Sequence, residues 1–348
     1  MIKIQNIYYM LSYAFETLSE SSYRELATEE FEHLADLMAT ILARGIGNQL
    51  KRGLAKEYIR QEDILSTPRG KMDITSSIKA QTLMKKQIVC HFDEFSEDIY
   101  FNQILKSTVL LLIRSKEVTL ERKKALKRVI LFFNHVNEID LSCINWASLK
   151  YHKNNANYKM LMNICYLIVE GMLLTTEDGD RKLQEYIDDQ KMSSLYERFV
   201  RAYYRKHYPR LNASAAHIPW HLTETPQQDV IDFLPTMKSD ITLKERDKTL
   251  IIDTKYYSKT MQTNTMCHKK TFHSNNMYQI FTYVKNKDIN QTGQVKGVLL
   301  YAKTDEEITP DHDYHISGSS ISVKTLDLSG DFEIIKMQLD ALVKDMKS

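Results

Sequence analysis

The apolar and polar positions along the chain follow two periodicities. In long segments apolar residues recur every three to four positions, and in shorter ones they recur every second position. The first repeat is that of a helix with one buried face, and the second is that of a half-buried strand. The longer repeat predicts helices at about 3–18, 28–49, 102–116, 120–136, 158–174, 193–206, 275–284 and 331–346.

Strand-like segments fall in two regions. Short alternating runs make residues 54–95 β-rich, and the second half carries strands at 213–222, within 237–257 and at 295–302, with a polar loop at 258–271. The last of these strands is almost wholly apolar, which is typical of a buried sheet centre. The order of helices and strands in this half predicts an α/β fold, a mixed sheet flanked by helices.

A polar run, T-T-E-D-G-D-R-K at 175–182, separates the two halves. Such a run is typical of a domain boundary. We therefore expect an α+β, mainly helical N-terminal domain at 1–178, with the β-rich insert at about 54–95. An α/β domain would follow at 179–348.

Residues 237–257 predict a β-hairpin with an unusual pair of acids. The run at 244–248 is almost entirely charged, as expected of an exposed turn. A turn centred there places Asp240 opposite Asp253, and directly opposed residues have Cβ atoms about 4.5–5.5 Å apart. Two carboxylates that close repel each other unless a cation or a proton intervenes. Lys255 lies two residues after Asp253 and therefore points to the same face of the strand.

This trio of two acids and a lysine fits metal-assisted phosphoryl chemistry. Mg²⁺ prefers oxygen ligands, and it usually binds one or two carboxylates together with waters and substrate phosphates. A bound ion of this kind polarises a phosphoryl group and acidifies a bound water. The alternative is an ordinary ladder of salt bridges on a surface hairpin, because the D-x-K spacing alone is common.

Composition sets limits on the class of protein. The 348 residues carry 47 basic and 45 acidic side chains, a net charge of +2, so nucleic-acid contacts would have to come from local patches. The four cysteines form no C-x-x-C pair, which favours a reducing cytoplasm over a disulfide framework. We expect no signal peptide, no membrane association and, without a phosphate-binding P-loop motif, no nucleoside triphosphate bound by this chain.

The order of these residues resembles the core of PD-(D/E)xK nucleases. Glu197 lies on a predicted helix, Asp240 and the Asp253–Lys255 run lie on successive strands, and Gln279-x-x-x-Tyr283 lies on the next helix. The Gln-x-x-x-Tyr element is similar to that of the subgroup related to RecB-type nucleases. The proline of the superfamily's name is absent before Asp240, where a serine stands.

Longer motifs resemble the McrC family, the nuclease subunits of McrBC modification-dependent restriction systems. The similarity runs from about residue 5 to residue 285. It is carried by the N-I-Y-Y-M-L-x-Y-A run at 6–14, R-G-K at 69–71, F-D-x-x-x-E-D at 92–98, N-x-I-L-K-S-T at 102–108, L-Y-x-x-F at 195–199, L-P-x-M-x-x-D-I-T at 234–242 and F-H-S-x-N-x-Y-Q at 272–279.

The resemblance implies a restriction endonuclease subunit with specific partners. McrC-type proteins act with an McrB-type AAA+ GTPase, expected as a hexameric ring, which binds the GTP and recognises modified double-stranded DNA. The N-terminal half is expected to dock onto this ring and stimulate GTP hydrolysis. No motif assigns residues to that task, and Arg69 and Lys71, in an exposed turn, are only candidates.

The resemblance also implies catalytic roles. Asp240 and Asp253 would ligate Mg²⁺, with the Thr254 carbonyl as a further ligand, and Lys255 would position or activate the attacking water. Glu197 would orient a metal-bound water, or it is simply a carboxylate at a helix start, where the helix dipole favours it.

Supporting residues are expected around this trio. Gln279 and Tyr283 would contact DNA or hold Lys255, and packing is an alternative role for Tyr283. Lys259, Lys269 and Lys270 would meet phosphates, which would make DNA binding depend on salt.

Two other functions stay open. The chain could be a non-catalytic adaptor that activates the GTPase and keeps a nuclease fold only as a platform. It could also be a nuclease of a related system that reads an unmodified sequence through a different partner.

Overall fold

The computed structural model describes residues 2–15, 18, 26, 29, 31–152, 155–177, 189–222, 231–257, 260–263, 270–304, 306 and 308–346. The chain forms two compact units. The helical unit comprises Glu32–Tyr186, and the sheet unit comprises Met1–Phe31 together with Ile187–Ser348.

The predicted helices all overlap with helices of the structure. The α-helices are α1 (Ile4–Ala14), α2 (Leu34–Arg52), α3 (Ile74–Lys79), α4 (Tyr100–Arg114), α5 (Leu120–Ile130), α6 (Tyr158–Glu177), α7 (Asp189–His207), α8 (Ser274–Lys287) and α9 (Phe332–Leu342). The strands are β1 (Glu57–Leu65), β2 (Lys71–Asp73), β3 (Ile88–Ser96), β4 (His217–Ile218), β5 (Met237–Lys238), β6 (Ile241–Glu245), β7 (Lys248–Lys255), β8 (Met261–Thr263), β9 (Lys270–Phe272), β10 (Val295–Ala302), β11 (His312–Ile316) and β12 (Ser319–Leu326). Among the described residues, no helix combines the length and apolar character needed to cross a bilayer.

The helical unit contains the β-rich insert that the sequence predicts. Its three strands pair in the order β1-β3-β2, and β1 and β3 run antiparallel along their whole length. The unpredicted helix α3 follows β2 directly. Asp73 caps it, since its Oδ1 accepts a hydrogen bond from the Ser76 amide at 2.9 Å. This is the usual way to satisfy a free amide at a helix start.

The sheet unit is built on a mixed sheet with the strand order β11-β12-β10-β7-β6. The central strand β10 runs parallel to both β7 and β12, whereas β6–β7 and β11–β12 are antiparallel pairs. Helix α8 packs on one face of the sheet. Helix α7 contacts β7, and helix α9 contacts β12. The predicted α/β fold, a mixed sheet flanked by helices, is therefore confirmed.

The contact between α8 and β10 is unusually close at Gly297. A Cβ atom at this position would lie 2.8 Å from side-chain carbons of both Ile280 and Val284 on α8. A glycine lets the helix approach the centre of the sheet. The core on this face is closed by buried residues that include Ile251, Leu299 and Val323.

Helix α1 belongs to the sheet unit, whereas the sequence predicts one N-terminal domain at residues 1–178. Asn6 is buried, and its Nδ2 donates to the Leu328 carbonyl at 2.7 Å and to the Gly330 carbonyl at 2.8 Å. Tyr9 stacks on Phe332 with ring centroids 4.2 Å apart. A helical repeat shows which face is buried but not which core buries it. The predicted boundary after residue 178 lies outside the described residues.

Three strand expectations need correction. Strands β11 and β12 were not predicted, although Ile321 and Val323 alternate with polar residues and are fully buried. The polar loop expected at 258–271 contains β8 and the start of β9, which pair antiparallel. The strand expected at 213–222 is confined to the two residues of β4 and one isolated bridge from Ser214 to Thr242.

Candidate active site

The hairpin of β6 and β7 has the register predicted from the sequence. Ile241 pairs with Ile252, and the same register places Asp240, just before β6, opposite Asp253. The turn contains Arg246 at φ 53°, a left-handed conformation that suits the twist of a tight hairpin. Asp240 and Asp253 are thus brought together by main-chain pairing.

Asp240 is held by the strand that faces it. The Thr254 amide and the Thr254 Oγ1 hydroxyl both donate to Asp240 Oδ2, each at 2.8 Å. The other carboxylate oxygen, Oδ1, accepts no hydrogen bond from any described residue. The Asp240 residue is partly exposed.

Asp253 is a buried carboxylate with an incomplete set of partners. Its side chain is 1% exposed, and Oδ2 forms an ion pair with Lys255 Nζ at 2.7 Å. Within the described chain, Oδ1 has no hydrogen-bond partner. Burial and the nearby charge of Asp240 raise the pKa of Asp253 to about 6, although Lys255 opposes the shift. A buried, incompletely paired carboxylate is costly for a fold, and such groups cluster at functional sites.

Lys255 is fixed by a chain of side chains from α8. Its Nζ donates to Gln279 Oε1 at 3.0 Å, and Gln279 Nε2 donates to the Tyr283 hydroxyl at 2.8 Å. That hydroxyl donates in turn to the Lys238 carbonyl at 3.1 Å. Burial lowers the pKa of Lys255, but the Asp253 carboxylate outweighs this effect, and the net result is a raised pKa.

Glu197 lies in the middle of α7, so the alternative of a carboxylate at a helix start is wrong. It reaches the site through Arg201, which was not among the predicted site residues. Arg201 Nη1 lies 2.6 Å from Glu197 Oε1, and it also donates to the Asp240 carbonyl at 3.1 Å. The charge of Glu197 contributes to the raised pKa of Asp253. Arg201 could have been identified from the sequence, because a glutamate and an arginine four residues apart are neighbours on a helix.

The structure describes only one of the three lysines that were predicted to contact phosphates. Lys259 and Lys269 lie outside the described residues. Lys270 is exposed at the start of β9. It forms no ion pair or hydrogen bond with the acids and lysine of the site within the described ranges.

The side chains of the site fit a hard cation that takes only a few of its ligands from the protein. No group of three or more His, Cys, Asp and Glu side chains among the described residues is arranged to hold a metal ion. Two carboxylates remain, each with an oxygen that accepts no hydrogen bond from the described chain. Mg²⁺ typically binds proteins in this way, since waters and substrate oxygens complete its octahedral shell.

Comparisons with known proteins point to one family. The model of the family described as "McrBC 5-methylcytosine restriction system component" matches residues 3–302. The Escherichia coli (strain K12) protein described as "Type IV methyl-directed restriction enzyme EcoKMcrBC" is 27% identical over 340 residues, which cover 97% of this chain and 96% of the relative.

A solved structure has a similar fold. It is a refined half-complex from the tetradecameric assembly of Thermococcus gammatolerans McrB AAA+ hexamers with bound McrC. The TM-score is 0.52 at 16% identity, over 97% of this chain and 75% of the matched chain. The family match over most of the chain is decisive: this chain belongs to the McrBC 5-methylcytosine restriction system component family, as its resemblance to McrC predicted.

Proposed function

We propose that this chain is the Mg²⁺-dependent DNA endonuclease subunit of an McrBC-like restriction complex, with a PD-(D/E)xK catalytic core in its sheet unit. The observation that carries the proposal is the convergence of Asp240, Asp253 and Lys255 at one end of a hairpin. The buried Asp253 oxygen without a hydrogen-bond partner supports a cation there. A plain ladder of surface salt bridges would not bury one of its acids to 1% exposure.

Each residue of the site has a role in this proposal. Asp240 and Asp253 would hold Mg²⁺, together with the Thr254 carbonyl. The bound ion would acidify a water and stabilise charge on the scissile phosphate. Lys255, held by Gln279, would donate a hydrogen bond to the attacking water or to the phosphate. Glu197, held by Arg201, would orient a metal-bound water.

The electrostatics favour a charged Lys255. Its Nζ lies 2.7 Å from the Asp253 carboxylate and donates to Gln279 Oε1, contacts that suit an ammonium group. A protonated lysine has no lone pair with which to take up a proton, so positioning and charge stabilisation fit better than general-base catalysis. Of the two roles predicted for Lys255, positioning is therefore the one that we propose.

The helical unit would supply the contact with an AAA+ GTPase partner. The McrB hexamers of the similar assembly bind McrC, and we propose an equivalent partner here, with GTP bound by that partner. In the β-rich insert, Met72, Ile74 and Ile78 are exposed by 49%, 58% and 61% and form what we term the α3 patch. Exposed apolar clusters of this kind mark interaction surfaces. Docking there would stimulate GTP hydrolysis by the ring.

The DNA target would be modified double-stranded DNA. The family description names 5-methylcytosine, and the relative from Escherichia coli is described as methyl-directed. We propose that the partner recognises the modified base and that this chain cuts the phosphodiester backbone.

The test is plasmid cleavage by the assembled complex with partner GTPase, GTP and Mg²⁺. Asp253→Asn and Lys255→Ala should each abolish cutting, because the first removes the negative charge of a metal ligand and the second removes the ammonium group beside it. Asp247→Asn, in the exposed turn of the same hairpin, is the matched control and should cut like wild type. Wild-type rates in the Asp253→Asn complex would remove the assignment.

The same assay separates the two other functions. A wild-type chain that stimulates GTP hydrolysis but never cuts DNA would be a non-catalytic activator. Equal cutting of methylated and unmethylated plasmid would indicate a system that reads an unmodified sequence.

A further inference from the structure

Thr254 separates the two residues of the D-x-K run, and its side chain has no assigned role in the proposed chemistry. It is 4% exposed, and its hydroxyl lies 2.8 Å from Asp240 Oδ2. The Thr254 amide donates to the same oxygen at 2.8 Å. Two donors on one oxygen fix the rotation of the carboxylate about its axis.

This arrangement decides which oxygen of Asp240 remains for a ligand. Oδ2 is engaged by both Thr254 donors, whereas Oδ1 accepts no hydrogen bond from the described chain. On the facing strand, Asp253 Oδ1 is likewise without a hydrogen-bond partner among the described residues. Continued by one residue, the hairpin register places Asp240 opposite Asp253 in the main chain. One oxygen of each acid therefore accepts no hydrogen bond from the described residues.

Arg201 holds the main chain of the same residue. Its guanidinium donates to the Asp240 carbonyl at 3.1 Å. The backbone and the side chain of Asp240 are thus held by different elements, α7 and β7.

We propose that Thr254 is a positioning residue for the cation site: its hydroxyl holds Asp240 so that Oδ1 faces the ion. This proposal rests on the proposed metal-dependent function. Partners that orient a metal ligand typically contribute about 10- to 100-fold to metal affinity. The amide donor survives any side-chain change, so removal of the hydroxyl should cost affinity near the lower end of that range.

Metal binding can be measured directly, without DNA or cleavage. The full chain is titrated with Mn²⁺, and free Mn²⁺ is followed by electron paramagnetic resonance. Thr254→Val, which keeps the shape of the side chain and loses the hydroxyl, should bind Mn²⁺ about tenfold more weakly than wild type. Thr254→Ser, which keeps the hydroxyl, should restore the affinity to within about twofold of wild type. The buried Thr249 on the same strand supplies the matched control, and Thr249→Val should bind like wild type.

A second readout separates positioning from a general structural defect. In the assembled complex, the Mg²⁺ concentration for half-maximal cleavage should rise about tenfold in Thr254→Val, and the rate should recover at saturating Mg²⁺. Equal Mn²⁺ affinity in wild type and Thr254→Val would overturn the role of Thr254 and leave the metal site intact. Wild-type affinity in Asp253→Asn would instead overturn the metal site itself, and the role of Thr254 with it.

Discussion

Two aspartates of the sheet unit show how differently a fold can treat a carboxylate. Asp327 accepts hydrogen bonds from Ser329 and forms an ion pair with Lys303 at 2.7 Å. Burial alone would raise its pKa, but these partners outweigh burial and lower the pKa to about 2. The pKa of Asp253, by contrast, is raised to about 6. Asp327 stabilises the loop before α9, whereas Asp253 is kept at a cost in stability.

The pKa of Asp327 gives a prediction with a definite sign. Because its folded pKa of about 2 lies below the ordinary value of 3.8, Asp327 stabilises the fold above pH 4. This contribution should be lost as the pH falls from about 4 to about 2. The free energy of unfolding of wild type should exceed that of Asp327→Asn by a constant amount between about pH 7 and 5. The difference should shrink below about pH 4. A difference that does not vary with pH would contradict this account.

Sequence reasoning reached Asp240, Asp253 and Lys255 because a two-residue period fixes which side chains share a strand face. It did not reach the hydroxyl of Thr254, because successive side chains of a strand point to opposite faces and Thr254 lies between Asp253 and Lys255. The hydroxyl is used because Asp240 precedes β6 and can turn its carboxylate towards the main chain of β7. The spacing of residues therefore predicts side-chain directions where two strands are hydrogen-bonded to each other, but not one residue beyond the last pair.

At the level of elements, helices and strands with a regular spacing of apolar residues were predicted, and those with few apolar residues were not. Apart from the short α3, the helices were found, as was the central strand β10, because their apolar positions are numerous and regular. Strands β11 and β12 were missed in a stretch rich in Ser, Asp and His, although Ile321 and Val323 carried the alternating signal. The placement of α1 was missed for another reason. A hydrophobic pattern shows which face of a helix is buried but not which core buries it, and it ignores polar contacts such as those of Asn6.

The docking of α1 can be tested at that residue. Asn6→Ala should lower the free energy of unfolding of the sheet unit by about 1–3 kcal/mol, because the Leu328 and Gly330 carbonyls lose their buried donor. Chemical denaturation followed by circular dichroism measures this change. Ser12→Ala is a control on the same helix, since Ser12 donates only to the Tyr9 carbonyl one turn away. A similar loss in both variants would count against a specific contact by Asn6.

At the scale of the whole molecule, chemistry and partner contact are proposed for different units. The proposed cation site lies in the sheet unit, and the α3 patch lies in the helical unit. Substitution in one unit should therefore leave the activity of the other. This separation was suggested by the family resemblance, and the sequence alone did not identify the docking residues.

A pair of variants tests the division. Asp253→Asn should abolish cleavage and still stimulate GTP hydrolysis by the partner. Ile74→Lys with Ile78→Lys should abolish stimulation and still bind Mn²⁺ like wild type, because charges at the α3 patch oppose apolar docking. Leu131→Lys, at a helix end in the same unit with 66% exposure, is the control and should stimulate normally. Full stimulation by the double variant would exclude the α3 patch as the docking surface.

The central claim is that Asp240 and Asp253 together bind one catalytic cation. Anomalous diffraction from crystals of this chain grown with Mn²⁺ would locate the ion directly. The account predicts a peak between the two carboxylates, next to Asp253 Oδ1 and Asp240 Oδ1, that disappears in Asp253→Asn. A wild-type crystal that binds Mn²⁺ elsewhere, with no peak between these two side chains, would contradict it.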